Sequence, residues 1–105
     1  MVRYIRSVAK KYPVRLPDGS YAKFANGENI TKTKLLMGEG TDVPLQCAIF
    51  LESKYNRNRD SWSKWRGESY VFIKHEIHRV ELHWYESDGQ RYEYKVKNDF
   101  DGGGA

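Results

Sequence analysis

Glu81-Leu82-His83-Trp84-Tyr85-Glu86-Ser87-Asp88-Gly89-Gln90-Arg91-Tyr92-Glu93-Tyr94-Lys95-Val96-Lys97 is the stretch that decides the fold. Two runs rich in aromatic and β-branched residues flank a Ser-Asp-Gly turn signal, the pattern of a β-hairpin. Two registers compete. A two-residue Asp88-Gly89 turn sets Leu82 against Lys95 and Trp84 against Glu93, and a one-residue slip of this kind puts apolar residues opposite charged ones. A three-residue Ser87-Asp88-Gly89 loop pairs Trp84 with Tyr92, Leu82 with Tyr94 and Val80 with Val96. That register makes one face continuously apolar, the face expected to lie against the helix, and is the one expected.

The other face then sets Tyr85 across from Arg91, His83 from Glu93, Glu81 from Lys95, and Arg79 from Lys97. Histidine, carboxylates, cations and a tyrosine share one surface. Phosphodiester cleavage of RNA uses such a set: a base for the 2′-hydroxyl proton, an acid for the leaving oxygen, and cations for the charged phosphorane. His83 and Glu93 can divide the acid and base roles, with Lys95, Arg91 or Lys64 as electrostatic partners. On pattern alone, a solvated face of cross-strand ion pairs is the ordinary reading.

Upstream, Val43, Cys47, Phe50, Leu51 and Tyr55 fall on one helical stripe. Thr41 or Asp42 is placed to cap that helix, Pro44 suits its first turn, and it should end near Asn56. Gly38-Glu39-Gly40 reads as the turn leading into it. A short turn or helix around Trp62, closed by Gly67, is expected next, then a strand over 70–74, a turn at Lys74-His75-Glu76, and strands over 77–86 and 90–98. Residues 13–24 read as a short N-terminal β region with a Pro17-Asp18-Gly19 turn, and Ile30 to Met37 as a strand. Residues 1–12 suit a short strand or a helical turn. A single domain over 1–98 and a disordered tail over 99–105 complete the division.

At 105 residues the chain has room for one core, large enough to fold without metal or disulfide staples. Cys47 is the only cysteine, which excludes an intramolecular disulfide and a cysteine zinc cage. His75 and His78 sit three apart on a strand and so point to opposite faces, which argues against a metal site. The net charge of +4 and pI near 9.2 permit an anionic partner. The basic residues gather in 54–66, where Asp60 is the one acid, and in 91–97. Trp62 and Trp65 lie in the first of these, either as anchors that pack the loop onto the core or as stacking surfaces for bases. No stretch is apolar enough for a membrane span, and the charged first twenty residues do not suit a signal peptide, so a cytoplasmic setting is expected.

The hairpin, together with Trp62-Ser63-Lys64-Trp65-Arg66-Gly67 and Gly38-Glu39-Gly40-Thr41, resembles a family of small domains. Tyr12-Pro13-Val14-Arg15-Leu16-Pro17-Asp18-Gly19 fits it more loosely. These are C-terminal modules of phage minor head proteins and bacterial polymorphic toxins, grouped with the barnase/EndoU/colicin/RelE metal-independent nucleases. The likeness runs from about residue 12 to 97, and its most specific element is His-Trp-Tyr followed by Glu-x-Lys-x-Lys. It implies an α+β domain with one main helix packed on a four-stranded antiparallel sheet, RNA as substrate, no cofactor and no metal. It also implies a site of His83, Lys64, Glu93, Lys95 and Lys97.

The expectation is therefore a ribonuclease-like domain of phage or mobile-element origin, acting in a host cell or on a virion. His83, Glu93, Lys95 and Lys64 are its candidate catalytic residues, and Arg91, Lys97, Tyr85, Trp62 and Arg66 its candidate substrate contacts. RNA is the expected partner, with a phage head protein or an acidic inhibitor protein as protein partners and no membrane. The alternative is a non-catalytic module that binds RNA or serves as a phage structural or accessory protein.

Overall fold

The computed structural model describes residues 12–102. Three long strands dominate: β4 (Trp62–Ile73), β5 (Glu76–Ser87) and β6 (Gln90–Asp99). Before them come β1 (Val14–Arg15), β2 (Tyr21–Ala22), β3 (Thr31–Gly38), the helix α1 (Ala48–Tyr55) and a 3-10 turn at Arg59–Ser61. The strands form one six-stranded sheet in the order β2-β1-β6-β5-β4-β3. Short β1 runs parallel to β6 and every other neighbouring pair is antiparallel.

This corrects the expected four-stranded antiparallel sheet under one main helix. The sheet is mixed, has six strands, and carries most of the structure, whereas α1 has eight residues. Part of the difference is that the short N-terminal strands join the same sheet, β1 in parallel with β6; two misreadings add to it. Trp62 to Gly67, expected as a turn or helix, continues β4 without a break. Its alternation is visible in the sequence, with Trp62, Lys64 and Arg66 on one face and Ser63, Trp65 and Gly67 on the other. The helix also starts later than its stripe suggests. Thr41 does cap a turn, its Oγ1 accepting from Val43 N–H at 3.1 Å, but the chain becomes helical only at Ala48. Val43 and Phe50 of the stripe consequently stay exposed, and only Leu51 is buried within the helix. Asn56 ends it in the left-handed region at φ 56°.

The hairpin register is the second correction. The turn is the two-residue Asp88-Gly89, both left-handed at φ 51° and 78°, which matches the twist of the flanking strands. The clash that this register threatened is removed by β-bulges. Glu93 adopts φ 58° and adds one residue to β6, so that His83 faces Lys95 and Leu82 faces Val96. Lys97 is a second extra residue, after which Glu81 faces Asn98. Trp84 then meets Tyr94, ring centroids 5.8 Å apart. The apolar pattern is satisfied by inserting residues, not by lengthening the turn.

The core lies on the face carrying Val71, Val80, Leu82, Trp84, Tyr94 and Val96, joined by Val14, whereas α1, expected on this face, packs on the other through Tyr55 against Trp62 and Tyr92. The sheet curls around the core far enough that Phe24, just beyond β2, bridges Val71 of β4 and sets its ring edge-on to Tyr94 at 5.1 Å. Gly67 is needed at the tightest point, since a Cβ there would lie 2.5 Å from Ile30 Cγ2 and 2.9 Å from Trp84 Cη2. Gly67→Ala should cost about 1–3 kcal/mol through overpacking, read as a lowered urea midpoint at unchanged slope. Wild-type stability in that variant would disprove the close packing.

Of the residues expected in the tail, Phe100 and Asp101 bond to β5: Phe100 N–H donates to Arg79 O at 3.0 Å, and Arg79 N–H to Asp101 Oδ2 at 2.7 Å. The expectations for residues 1–11 and 103–105 lie outside the described residues. Among the described residues no helix is long and apolar enough to cross a membrane.

Candidate functional site

The sheet face opposite the core carries the polar residues, and the register assigns them to rows. Arg66, His83 and Lys95 lie side by side across β4, β5 and β6, and Lys64 lies beside Tyr85 one step further along. Alternation within a strand places Glu81, His83 and Tyr85 on this face whatever the neighbouring register.

His83 is the centre of the arrangement. Its Nε2 donates to Glu81 Oε2 at 3.0 Å, and Arg66 Nε donates to the same oxygen at 2.9 Å. A carboxylate only accepts, so this contact selects the tautomer with hydrogen on Nε2 and the lone pair on Nδ1. Nδ1 is buried and meets no hydrogen-bond partner among the described residues. Burial pushes the His83 pKa below its ordinary value, and the charges of Lys64 and Lys97 add to this against the opposing pull of Glu81. Glu81 is held below the usual carboxylate range by the His83 and Arg66 bonds. The pair is thus a neutral imidazole oriented by an ionised carboxylate. Burial also makes Lys64 a stronger acid than an ordinary lysine, and the charges of Lys95 and Lys97 reinforce that.

The structure brings His83, Lys64, Lys95, Lys97 and Arg66 to one face, along with Tyr85. Burial pushes the Tyr85 hydroxyl up, helped by the Cys47 thiol and the Glu93 carboxylate. Glu93 does not pair with His83. Its carboxylate accepts from Lys54 Nζ at 2.8 Å and from the Tyr55 hydroxyl, fastening α1 to the bulge of β6. Burial alone would raise Glu93, but these bonds outweigh it and keep the carboxyl below its usual range. Trp62 is 1% exposed, packed against Tyr55 and Tyr92 with ring centroids 5.6 and 5.0 Å away. It is the anchor of the two alternatives and has no ring face free for a base. Arg91 is on the core side, bonded to Glu86 at 3.3 Å and lying over Trp84.

Glu81 is the residue whose role the cross-strand reasoning missed. The signal was there: two residues before His83 on the same strand, it shares that face by alternation alone. Outside this face, His78 Nδ1 lies 2.8 Å from Asp99 Oδ2, and no group of three or more potential metal ligands occurs among the described residues. Comparison with protein-family models, with curated proteins and with solved structures finds no match to this chain.

Proposed function

We propose that the domain is a metal-independent ribonuclease-like module that cleaves RNA through attack by the 2′-hydroxyl. The observation that supports this reading is the Arg66–Glu81–His83 chain of hydrogen bonds, set among Lys64, Lys95 and Lys97 on one sheet face. In this mechanism His83 accepts the 2′-hydroxyl proton while the 2′-oxygen bonds to phosphorus. Glu81 stabilises the imidazolium that forms. The bond from phosphorus to the 5′-oxygen breaks, and Lys64 protonates that oxygen. Lys95 and Lys97 offset the charge of the phosphorane. The products are a 2′,3′-cyclic phosphate and a free 5′-hydroxyl. Because Nδ1 is buried, the side chains above it must shift before substrate reaches it.

Incubation of mixed-sequence RNA with the protein in EDTA should release fragments with 2′,3′-cyclic phosphate ends. Intact RNA under all conditions rejects the catalytic reading. The burial of Nδ1 favours a second reading, in which the same cations hold phosphates without cutting them. Either way the cationic face predicts salt-sensitive binding. With Lys64, Lys95 and Lys97 each on a phosphate, the logarithm of affinity for single-stranded RNA should fall with a slope of about −2 against the logarithm of salt concentration. A slope near zero removes the phosphate contacts.

A further inference from the structure

Beside the polar face, β1 covers only part of the outer edge of β6 among the described residues. It pairs with β6 only at Tyr94 and Lys95, so Arg91 to Glu93, which have β5 on their other side, have no described strand on this one. A cleft of about 560 Å³ opens there. Its walls include Arg15, Tyr21, Tyr55, Tyr92 and Tyr94, and Lys95 stands at its border. Carboxylates reach it as well, from Glu28 and from Glu93, the latter already engaged by Lys54 and Tyr55. Tyr21 is 54% exposed and offers its ring to solvent. Tyr94 is 5% exposed, and its buried hydroxyl meets no partner at hydrogen-bond geometry among the described residues. Burial pushes that hydroxyl up, with partial relief from the Arg91 guanidinium.

We infer that this cleft takes a nucleobase, stacked on its tyrosines, from the nucleotide whose phosphate lies at Lys95 and His83. Tyrosine rings beside cations are the surface on which single-stranded bases stack, whatever the sequence. Lys95 is shared: it borders the cleft and is the cross-strand neighbour of His83. Neighbouring strands are about 4.8 Å apart, so the cleft and His83 are separated by the width of β6 alone. A phosphate on that row has the proton-transfer pair on one side and the aromatic walls on the other. The Tyr94 hydroxyl, buried like His83 Nδ1, supplies a polar group that a base edge can meet once the side chains over it shift. The inference deepens the ribonuclease proposal and rests on it for the placement of the phosphate.

The test uses a tetranucleotide of 2′-deoxynucleotides, which has no 2′-hydroxyl and cannot be cleaved, and the same strand with its bases removed. Fluorescence anisotropy should show the base-bearing strand binding about ten- to hundredfold more tightly. Tyr21→Ala, at an exposed position, should erase most of that difference while leaving affinity for the abasic strand unchanged. Tyr94→Phe keeps the ring and removes only the hydroxyl, and should level the affinities for the four homopolymers. Equal binding of the two strands, or a Tyr21→Ala loss that is the same for both, overturns the base site. Unchanged homopolymer preferences in Tyr94→Phe overturn the hydroxyl's part in it. Base-dependent binding without RNA cleavage keeps the cleft and removes the catalysis. RNA cleavage with the same KM in wild type and Tyr21→Ala keeps the catalysis and removes the cleft.

Discussion

His83→Ala should lower kcat/KM for RNA by about 10²- to 10⁴-fold, the usual contribution of a positioned general base, while the circular dichroism spectrum stays that of the wild type. The pH profile carries the more specific signature. Burial places the His83 pKa below its ordinary 6.5, so the acidic limb of the wild-type profile should lie below that value. The bond to Glu81 works in the opposite direction and raises the histidine. Glu81→Gln should therefore move the limb to still lower pH, as well as slowing cleavage. Lys97→Met removes a cation that depresses His83 and should move the limb upward. If His83→Ala cleaves at the wild-type rate, or if the limb stays fixed in both flanking variants, His83 is not the base.

The same depression has a sign for stability. Unfolded, His83 takes up a proton in the ordinary histidine range, whereas folded it resists. As pH falls through that range the unfolded state binds more protons, so this residue makes the fold less stable in acid. Above that range its charge makes no such demand. His83→Ala should remove this component of the acid destabilisation.

The largest effect on stability is expected from Trp62→Ala. This side chain joins α1 to the sheet: it packs against Tyr55 and Tyr92, and its Nε1 donates to Arg57 O at 3.3 Å. Removing a buried tryptophan costs ~3–5 kcal/mol, a large part of the ~5–15 kcal/mol that holds a typical domain together. The urea midpoint should fall sharply, and Lys54 and Tyr55 should release Glu93 as the helix loosens. Trp62→Phe keeps most of the ring contact and should lose much less. A wild-type midpoint for Trp62→Ala combined with weaker RNA binding would falsify the anchor role and make Trp62 a base contact.

The two variants probe positions that the sequence treats very differently. Glu81 and His83 share a face because alternation along one strand requires it, and Lys64 and Arg66 follow by the same rule once β4 is recognised as a strand. Such relations need no knowledge of partners. Cross-strand relations do, and the expected pairing of His83 with Glu93 failed for that reason. Two turn lengths were open, and the three-residue loop satisfied the apolar pattern with no irregularity. The chain satisfies it with the two-residue Asp88-Gly89 turn and bulges at Glu93 and Lys97. A non-glycine residue in the left-handed region leaves no mark in composition, so the bulge that turns Glu93 toward α1 could not be read in advance.

What the sequence determined by itself was therefore local: the strands around Asp88-Gly89, which residues share a face within each strand, and the end of the helix at Asn56. The tertiary structure alone decided that β1 joins β6 in parallel, that the described residues form one sheet of six strands, and that Lys95 stands beside His83 while Glu93 binds the helix. The division follows from range. Alternation and turn geometry act over a few bonded residues, whereas strand order and bulge position are settled by the packing of Trp84, Tyr94 and Val96, which meet only once the sheet has closed around them.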